Sequence, residues 1–309
     1  MAIQAILHRR RQAAVFVPYP AFPVPGTRWR ALTPAAPVDL FQPGDRARTF
    51  CPVAVLECVD DSGSREPGAL SEPIYLSVVI PAYNESHRIE ETLKDCRPYL
   101  DGRGEPYEVI VVDDGSRDDT VARVEAMAAD WPSLRVRSLA DNQGKGAAVR
   151  TGCLEARGSR ILFMDADHST RIECLDVFLP LLDGPYEIVA GWRAAPQGET
   201  LIRRLLGRGF LVLAHLIVFR QRVADSQCGF KCFTREAAQA IFPRTHINGG
   251  TLDVEILHLA HQLDLSVHYE PVEWQNAPGS TISPMRCLVQ DPIDMMRIRS
   301  HRLGDSEPI

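Results

Sequence analysis

The stretch Ser77-Val78-Val79-Ile80-Pro81-Ala82-Tyr83-Asn84-Glu85 decides the fold, because a short apolar run there breaks at a proline into a polar cluster. Valine and isoleucine suit the pleated surface of a sheet, and a run apolar on both faces reads as a strand covered on both sides. Just downstream, Ile89, Leu93, Cys96 and Leu100 recur at helical spacing and share one face. The succession then repeats. Strand-like runs fall at Leu76 to Ile80, Glu108 to Val112, Leu134 to Leu139, Ile161 to Met164 and Tyr186 to Ala190, and Leu175, Phe178, Leu179 and Leu182 form another apolar helix face. This alternation predicts an α/β domain, with a mainly parallel central sheet and helices on both faces.

Composition sets the outer limits. With 309 residues, 45% of them hydrophobic, the chain can form one large domain with attachments. A formal charge of -6 with interspersed signs excludes the concentrated basic footprint of a nucleic-acid binder. The cysteines Cys51, Cys58, Cys96, Cys153, Cys174, Cys228, Cys232 and Cys287 lack the short paired spacings of structural zinc or a dithiol site. Reduced thiols and a cytosolic compartment are therefore expected. Arg9, Arg10 and Arg11 are followed by Pro18, Pro20, Pro23 and Pro25, which does not read as a leader. No window supplies the roughly 20 apolar residues of a membrane span. Residues 1–72 are rich in proline and arginine and read as a loosely ordered extension with a small strand near Val53 to Val59. The α/β domain is expected over 73–300, with a tail at 301–309.

In open parallel sheets, ligands bind beyond the carboxyl ends of the strands. Three strand ends carry polar clusters: Pro81-Ala82-Tyr83-Asn84-Glu85, Asp113-Asp114-Gly115-Ser116 and Asp165-Ala166-Asp167. In an extended chain, residues i and i+2 face the same side about 6–7 Å apart, so Asp165 and Asp167 can converge on one cation. Hard divalent ions take carboxylates together with substrate phosphates. Asp-x-Asp also occurs in solvated turns, and Ser169 or Thr170 can cap the following helix. Asp113 and Asp114 can accept hydrogen bonds from a base or a ribose, while Ser116 and Asp119 suit a turn and a helix cap. Gly144-Lys145-Gly146-Ala147-Ala148 opens a helix, where N–H groups and Lys145 can face an anion. The glycines equally suit a tight helix entry.

Taken in order, Ser77 to Glu85, Val111 to Ser116, Gly144 to Ala148 and Asp165 to Asp167 resemble the family 2 glycosyltransferases of GT-A fold. Asp225-Ser226-Gln227-Cys228-Gly229-Phe230-Lys231 and Asp253-Val254-Glu255 resemble its dolichyl-phosphate beta-glucosyltransferase and polyprenyl-phosphate branch. The resemblance spans about 75–300 and implies a Rossmann-like nucleotide-binding half. It implies that Pro81, Ala82, Tyr83, Glu85 and Asp113, with Asp114, contact the uridine part of the donor. Asp165 and Asp167 would bind Mg2+ or Mn2+ and the diphosphate, with Lys145 and Arg193 beside the phosphates. Gln227 and Lys231 would lie near the sugar and acceptor phosphate, and Asp225 and Asp253 would be bases or orienting groups. Either aspartate can instead pair with Arg222 or Lys231. The chain departs from the branch at His168 and Ser169, where Gly and Ala are usual, and at Asn248 to Leu252, where bulky aromatic residues are usual. His168 reads as an extra metal ligand or as an exposed loop residue.

The function so implied is inverting transfer of a hexose, glucose from UDP-glucose, to a polyprenyl or dolichyl phosphate. The alternatives are a soluble or polysaccharide acceptor, or a non-catalytic nucleotide-sugar-binding protein. Residues 203–222 combine the apolar run Phe210 to Phe219 with Arg203, Arg204, Arg208, Arg220 and Arg222. That pattern suits a helix lying at the cytoplasmic membrane face, or else a buried core helix.

Overall fold

A computed structural model describes residues 27–31, 56–60, 73–193, 201–219, 223–275 and 284–301. The chain divides into two units, Met1–Leu70 and Ser71–Ile309. In the first, β1 (Thr27–Ala31) and β2 (Leu56–Asp60) pair antiparallel. The strand expected near Val53 to Val59 therefore begins at Leu56. The rest of the expected N-terminal extension, and residues 302–309 of the expected tail, lie outside the described residues.

The second unit runs β3 (Leu76–Ala82), α1 (Ile89–Arg103), β4 (Tyr107–Asp113), α2 (Thr120–Ala128), β5 (Leu134–Ser138), α3 (Lys145–Glu155), β6 (Arg160–Met164), α4 (Leu175–Leu182), β7 (Ile188–Arg193), α5 (Leu201–Ile217), β8 (Phe230–Thr234), α6 (Arg235–Ile241), α7 (Leu252–Gln262), β9 (Val267–Val272) and α8 (Pro284–Ser300). Its seven strands lie in the order β5-β4-β3-β6-β8-β7-β9. Every neighbouring pair is parallel except the two involving β8, which runs against both β6 and β7. The sheet is thus mainly parallel, with one reversed strand beside β6.

Period-two burial builds the two faces. Val78 and Ile80 join Ile89, Leu93, Cys96 and Leu100 of α1 and Leu175, Phe178, Leu179 and Leu182 of α4 in one core. Val79, Ile110, Val112 and Phe163 point the other way, into a core with α3, α6 and α7. A third cluster joins Ala214 and Val218 to Val254, Leu257, Met295 and Ile298. Two strands escape the sequence pattern. β8 is five residues long and carries Lys231, and β9 mixes His268 and Glu270 with Pro271. Proline is tolerated there because β9 is an edge strand. Pairing with β9 along Ile188 to Arg193 also carries β7 past Ala190, where the apolar run stops.

Sheet order places the site. The chain steps from β3 outward to β4 and β5, then returns to lay β6 on the other side of β3. In open sheets of this kind the ligand crevice falls at such a switch point, here at the carboxyl ends of β3 and β6. Because β8 runs backwards, its first residues arrive at that same edge, with Phe230 opposite Met164 and Lys231 opposite Phe163.

Helix α3 lies against β3 and β4 through Gly152, where an added Cβ would overlap the side chains of Val79 and Val112. Gly152→Ala should therefore cost about 1–3 kcal/mol by overpacking. A urea unfolding midpoint unchanged from wild type would contradict this packing.

Candidate active site

At the end of β6 the Asp165 N–H donates to the Gly229 carbonyl at 3.0 Å, which fixes the start of the Asp165-Ala166-Asp167 segment against the incoming β8. The Asp165 carboxylate lies over Gly229 so closely that a Cβ at that position would overlap it. Gly229 is needed for the room it leaves. Lys145 Nζ sits 2.6 Å from Asp165 Oδ1 and 3.9 Å from Asp253 Oδ2. Beneath it, the fully buried Lys231 donates to Asp253 Oδ1 and to the Cys228 carbonyl, both at 2.5 Å. Both ammonium groups stand near the Phe163 ring, at 5.6 and 5.5 Å from its centroid. Carboxylates and ammoniums thus alternate from the open crevice into the core: Asp165, Lys145, Asp253, Lys231.

The charges in this chain influence one another. Burial raises the pKa of Asp165, and the charges of Asp167 and Asp253 raise it further against the pull of Lys145. Burial disfavours the Lys145 ammonium, but Asp165 and Asp253 outweigh that and push its pKa up. Burial also raises Glu85, and Asp167 and Asp165 add to the rise while Arg88 opposes it. Glu85, at the end of β3, therefore shares its field with the β6 pair.

Loop bonds hold the β3 and β4 ends together. Asn84 has a left-handed backbone, φ +54°. Its N–H donates to Ser116 Oγ at 2.8 Å, and its Oδ1 accepts from the Arg117 N–H at 2.9 Å. The Glu85 N–H donates to Thr120 Oγ1 at 2.8 Å, and Arg88 pairs with the Glu85 carboxylate at 2.6 Å. Pro81 sits inside β3 but beyond its last register partner on β6, Val79 opposite Phe163, so the missing N–H costs no bond on that side. Pro81 and Ala82 are buried and Tyr83 is half-buried. Asp113 is buried and accepts weakly from the Ser116 N–H at 3.2 Å.

Several expectations need correction. Asp114 was expected to contact ligand, but its two oxygens accept from the N–H groups of Gln143 and Gly144, both at 2.8 Å, so it braces the loop before α3. The next donor, the Gly146 N–H, is taken by the Asn248 carbonyl at 2.7 Å. The α3 start is therefore filled by the protein's own acceptors, and Gly144 and Gly146 provide close approach to residues 247–248. Lys231, expected near sugar and acceptor phosphate, is wholly buried, and its pairing with Asp253 is the alternative that the sequence left open. Asp225 pairs with Arg193 at 2.7 Å and accepts from the Gln227 N–H at 2.9 Å. Burial raises its pKa, but Arg193 and that N–H outweigh burial and hold it below the usual carboxylate range. Arg193 also faces the Trp274 ring at 5.4 Å, while the possible partner Arg222 lies outside the described residues. Neither Ser169 nor Thr170 caps a helix: the Ser169 N–H donates to Asp167 Oδ1 at 3.0 Å, and Thr170 bridges to Trp274. Asp119 makes no side-chain cap either, and Asp118 accepts from the Thr120 N–H in its place.

His168 is tethered rather than a free loop residue. It sits at φ +57°, a conformation that glycine adopts freely, and its Nε2 lies 2.9 Å from Asp95 Oδ2 on α1. The tether to Asp95 holds the loop in that conformation. Gly229, Phe163 and Asp95 escaped the sequence reading. Only Gly229 had a signal, as the one small residue between Cys228 and Phe230.

The motif order and geometry agree with the comparisons. The family model for glycosyl transferase family 2 matches residues 77–250, and the chain belongs to that family. It is 36% identical over 245 residues to the dolichyl-phosphate beta-glucosyltransferase of Dictyostelium discoideum, covering 73% of this chain and 74% of that protein. Identity to the enzyme of the same name from Drosophila melanogaster is 37% over 246 residues, 74% of this chain and 75% of the relative. Among solved structures, glucosyl-3-phosphoglycerate synthase from Mycobacterium tuberculosis, crystallised with Mn2+, UDP-glucose and glycerol 3-phosphate, superposes with a TM-score of 0.57. That match has 21% identity and covers 75% of this chain and 82% of the other. The fold is GT-A.

Gly229→Ala should displace the Asp165 carboxylate and lower kcat/KM on the order of 10²-fold, the scale of an ångström misplacement in an active site. A folded variant, by circular dichroism, with wild-type turnover would refute the role given to Gly229. His168→Gly removes about 1–2 kcal/mol of left-handed strain and a hydrogen bond worth about 0.5–1.5 kcal/mol. Its denaturation midpoint should therefore barely move, and its Mn2+ affinity in the presence of UDP should match wild type. A tenfold loss of that affinity would make His168 a ligand.

Proposed function

We propose that the chain transfers glucose from UDP-glucose, with inversion, to the phosphate of a polyprenyl or dolichyl lipid. The observation that carries this reading is the Asp165 carboxylate at the switch-point crevice, already neutralised by an ammonium at 2.6 Å. A cation-binding oxygen therefore faces the place where a nucleotide diphosphate would lie. The names of the relatives supply the acceptor class, and the ligands of the structural neighbour supply the donor and metal class.

Among the described residues no group of three or more His, Cys, Asp or Glu side chains forms a ready metal cage. Asp165 and Asp167 fit a divalent ion that draws its remaining oxygens from the donor, as hard cations commonly do. Mg2+ or Mn2+ held there would neutralise the departing diphosphate. Pro81, Ala82, Tyr83, Glu85 and Asp113 surround the base and ribose, and Lys145 and Arg193 flank the phosphates. An ionised lipid phosphate oxygen attacks the anomeric carbon as the bond to UDP breaks, so no strong base is required. Asp225, Asp253, Gln227 and Lys231 therefore act by positioning. Asp225 and Lys231 do so through Arg193 and Asp253, which they hold.

Helix α5 supports membrane approach at residues 203–222. Ala214 and Val218 pack inward, while Val212 and Leu216 are 59% and 73% exposed, and Met296 on the adjoining α8 is 58% exposed. No helix among the described residues is long and apolar enough to cross a membrane. The side chains of Arg203, Arg204, Arg208, Arg220 and Arg222 lie outside the described residues. In this reading the protein works peripherally, at the cytoplasmic membrane face.

With UDP-glucose, Mn2+ and polyprenyl phosphate, the full-length protein should form a lipid-linked glucose and UDP. Turnover confined to a water-soluble acceptor would overturn the lipid assignment. Replacing Asp165 and Asp167 together by Asn should abolish the Mn2+-dependent rise in Tm that UDP-glucose gives the wild type. A rise of wild-type size in that double variant would remove the metal site from this pair.

A further inference from the structure

The Lys145 ammonium sits on Asp165 Oδ1, one of the two oxygens that carboxylate could offer a divalent cation. That contact is 2.6 Å, and hard divalent ions bind carboxylate oxygens at roughly 2.1 Å. Both cannot hold one carboxylate oxygen without strong repulsion between like charges.

The backbone of Lys145 is fixed. It is the first residue of α3, between Gly144 and Gly146, both packed on the 247–248 backbone, and the Gly146 N–H is bonded to the Asn248 carbonyl. Only the side chain can move. A second resting place lies close by, because Asp253 Oδ2 is 3.9 Å from Nζ and is held in place by buried Lys231 through its other oxygen. A diphosphate entering the crevice offers a third partner, and its charge compensates for the carboxylate that the lysine gives up.

We propose that Lys145 is a built-in counterion that keeps Asp165 closed to a bare divalent cation and releases it when the donor diphosphate arrives. Metal and nucleotide sugar then bind as a unit, each strengthening the other by the same factor, as linkage requires. Without donor, the lysine keeps the crevice near neutrality. This inference rests on the metal role of Asp165 and Asp167 proposed above.

The test is Mn2+ binding to the full chain, followed by electron paramagnetic resonance of free Mn2+, with and without UDP and corrected for Mn2+ bound by UDP in solution. Wild type should bind bare Mn2+ at least about tenfold more weakly than in the presence of UDP, within the usual range of coupling between sites. Lys145→Gln should bind bare Mn2+ about tenfold more tightly than wild type and lose most of the UDP coupling, whereas Lys145→Arg should keep both wild-type values. Lys145→Met provides the same comparison if the Gln variant is poorly folded by circular dichroism. Equal bare affinity and equal coupling in wild type and the neutral variants would overturn the proposal. Adding Asp165→Asn to Lys145→Gln should erase the gained binding. If Mn2+ binding instead survives in the Asp165→Asn, Asp167→Asn double variant, the metal site itself is misplaced and the proposal falls with it.

Discussion

The four-member series Asp165, Lys145, Asp253 and Lys231 is the interaction on which the rest of the site depends. Its inner end is buried: Lys231 is fully enclosed and its Asp253 partner is 3% exposed. Removing one member of such a pair strands a charge in the interior, which typically costs several kcal/mol. The outer end, at Asp165 and Lys145, is about one-third exposed. A buried inner pair therefore supports a more open outer pair. That arrangement suits a site that must bind a charged donor and then release a charged product.

Each member comes from a different element, so the series exists only because the sheet brings them together. Asp165 follows β6, Lys145 opens α3, Lys231 lies in β8 and Asp253 lies in the first turn of α7. The reversed strand β8 is the decisive step. In a purely parallel sheet, residues 225–231 would enter at the opposite edge, far from the β6 end. Running backwards, β8 places Gly229 beneath Asp165 and Lys231 between Phe163 of β6 and Ala190 of β7. Arg193, at the end of β7, then reaches Asp225 across the same edge.

Reading along the chain recovered what depends on local pattern. The core strands β3, β4 and β6 were legible because they are continuous apolar runs, and α1 and α4 because their apolar residues repeat at helical spacing. Strand β8 was not, since a buried lysine in a five-residue strand breaks the pattern of apolar residues that marks a core strand. Its charge is tolerated because Asp253, 22 residues away, meets it at 2.5 Å. Asp114 misled for a related reason. A carboxylate at a strand end looks ready for ligand until the loop from 143 to 144 folds over it and takes both oxygens. His168 looked like an irregularity beside Asp165 and Asp167. Its left-handed backbone and its bond to Asp95 show it to be a residue held in a position that suits glycine.

The sequence by itself determined the alternation of strands and helices, the polar clusters at three strand ends and the family to which the chain belongs. Those features depend on neighbours in the chain: the spacing of apolar residues, a proline at a strand end, two aspartates one residue apart. Only the tertiary structure decided which polar residues face the crevice and which serve the scaffold. That choice follows from burial and from partners far apart in sequence, such as Asp165 with Gly229 and Lys145, or Arg193 with Asp225. A carboxylate's role is set by whatever neutralises it, and here each neutralising group lies on a different element.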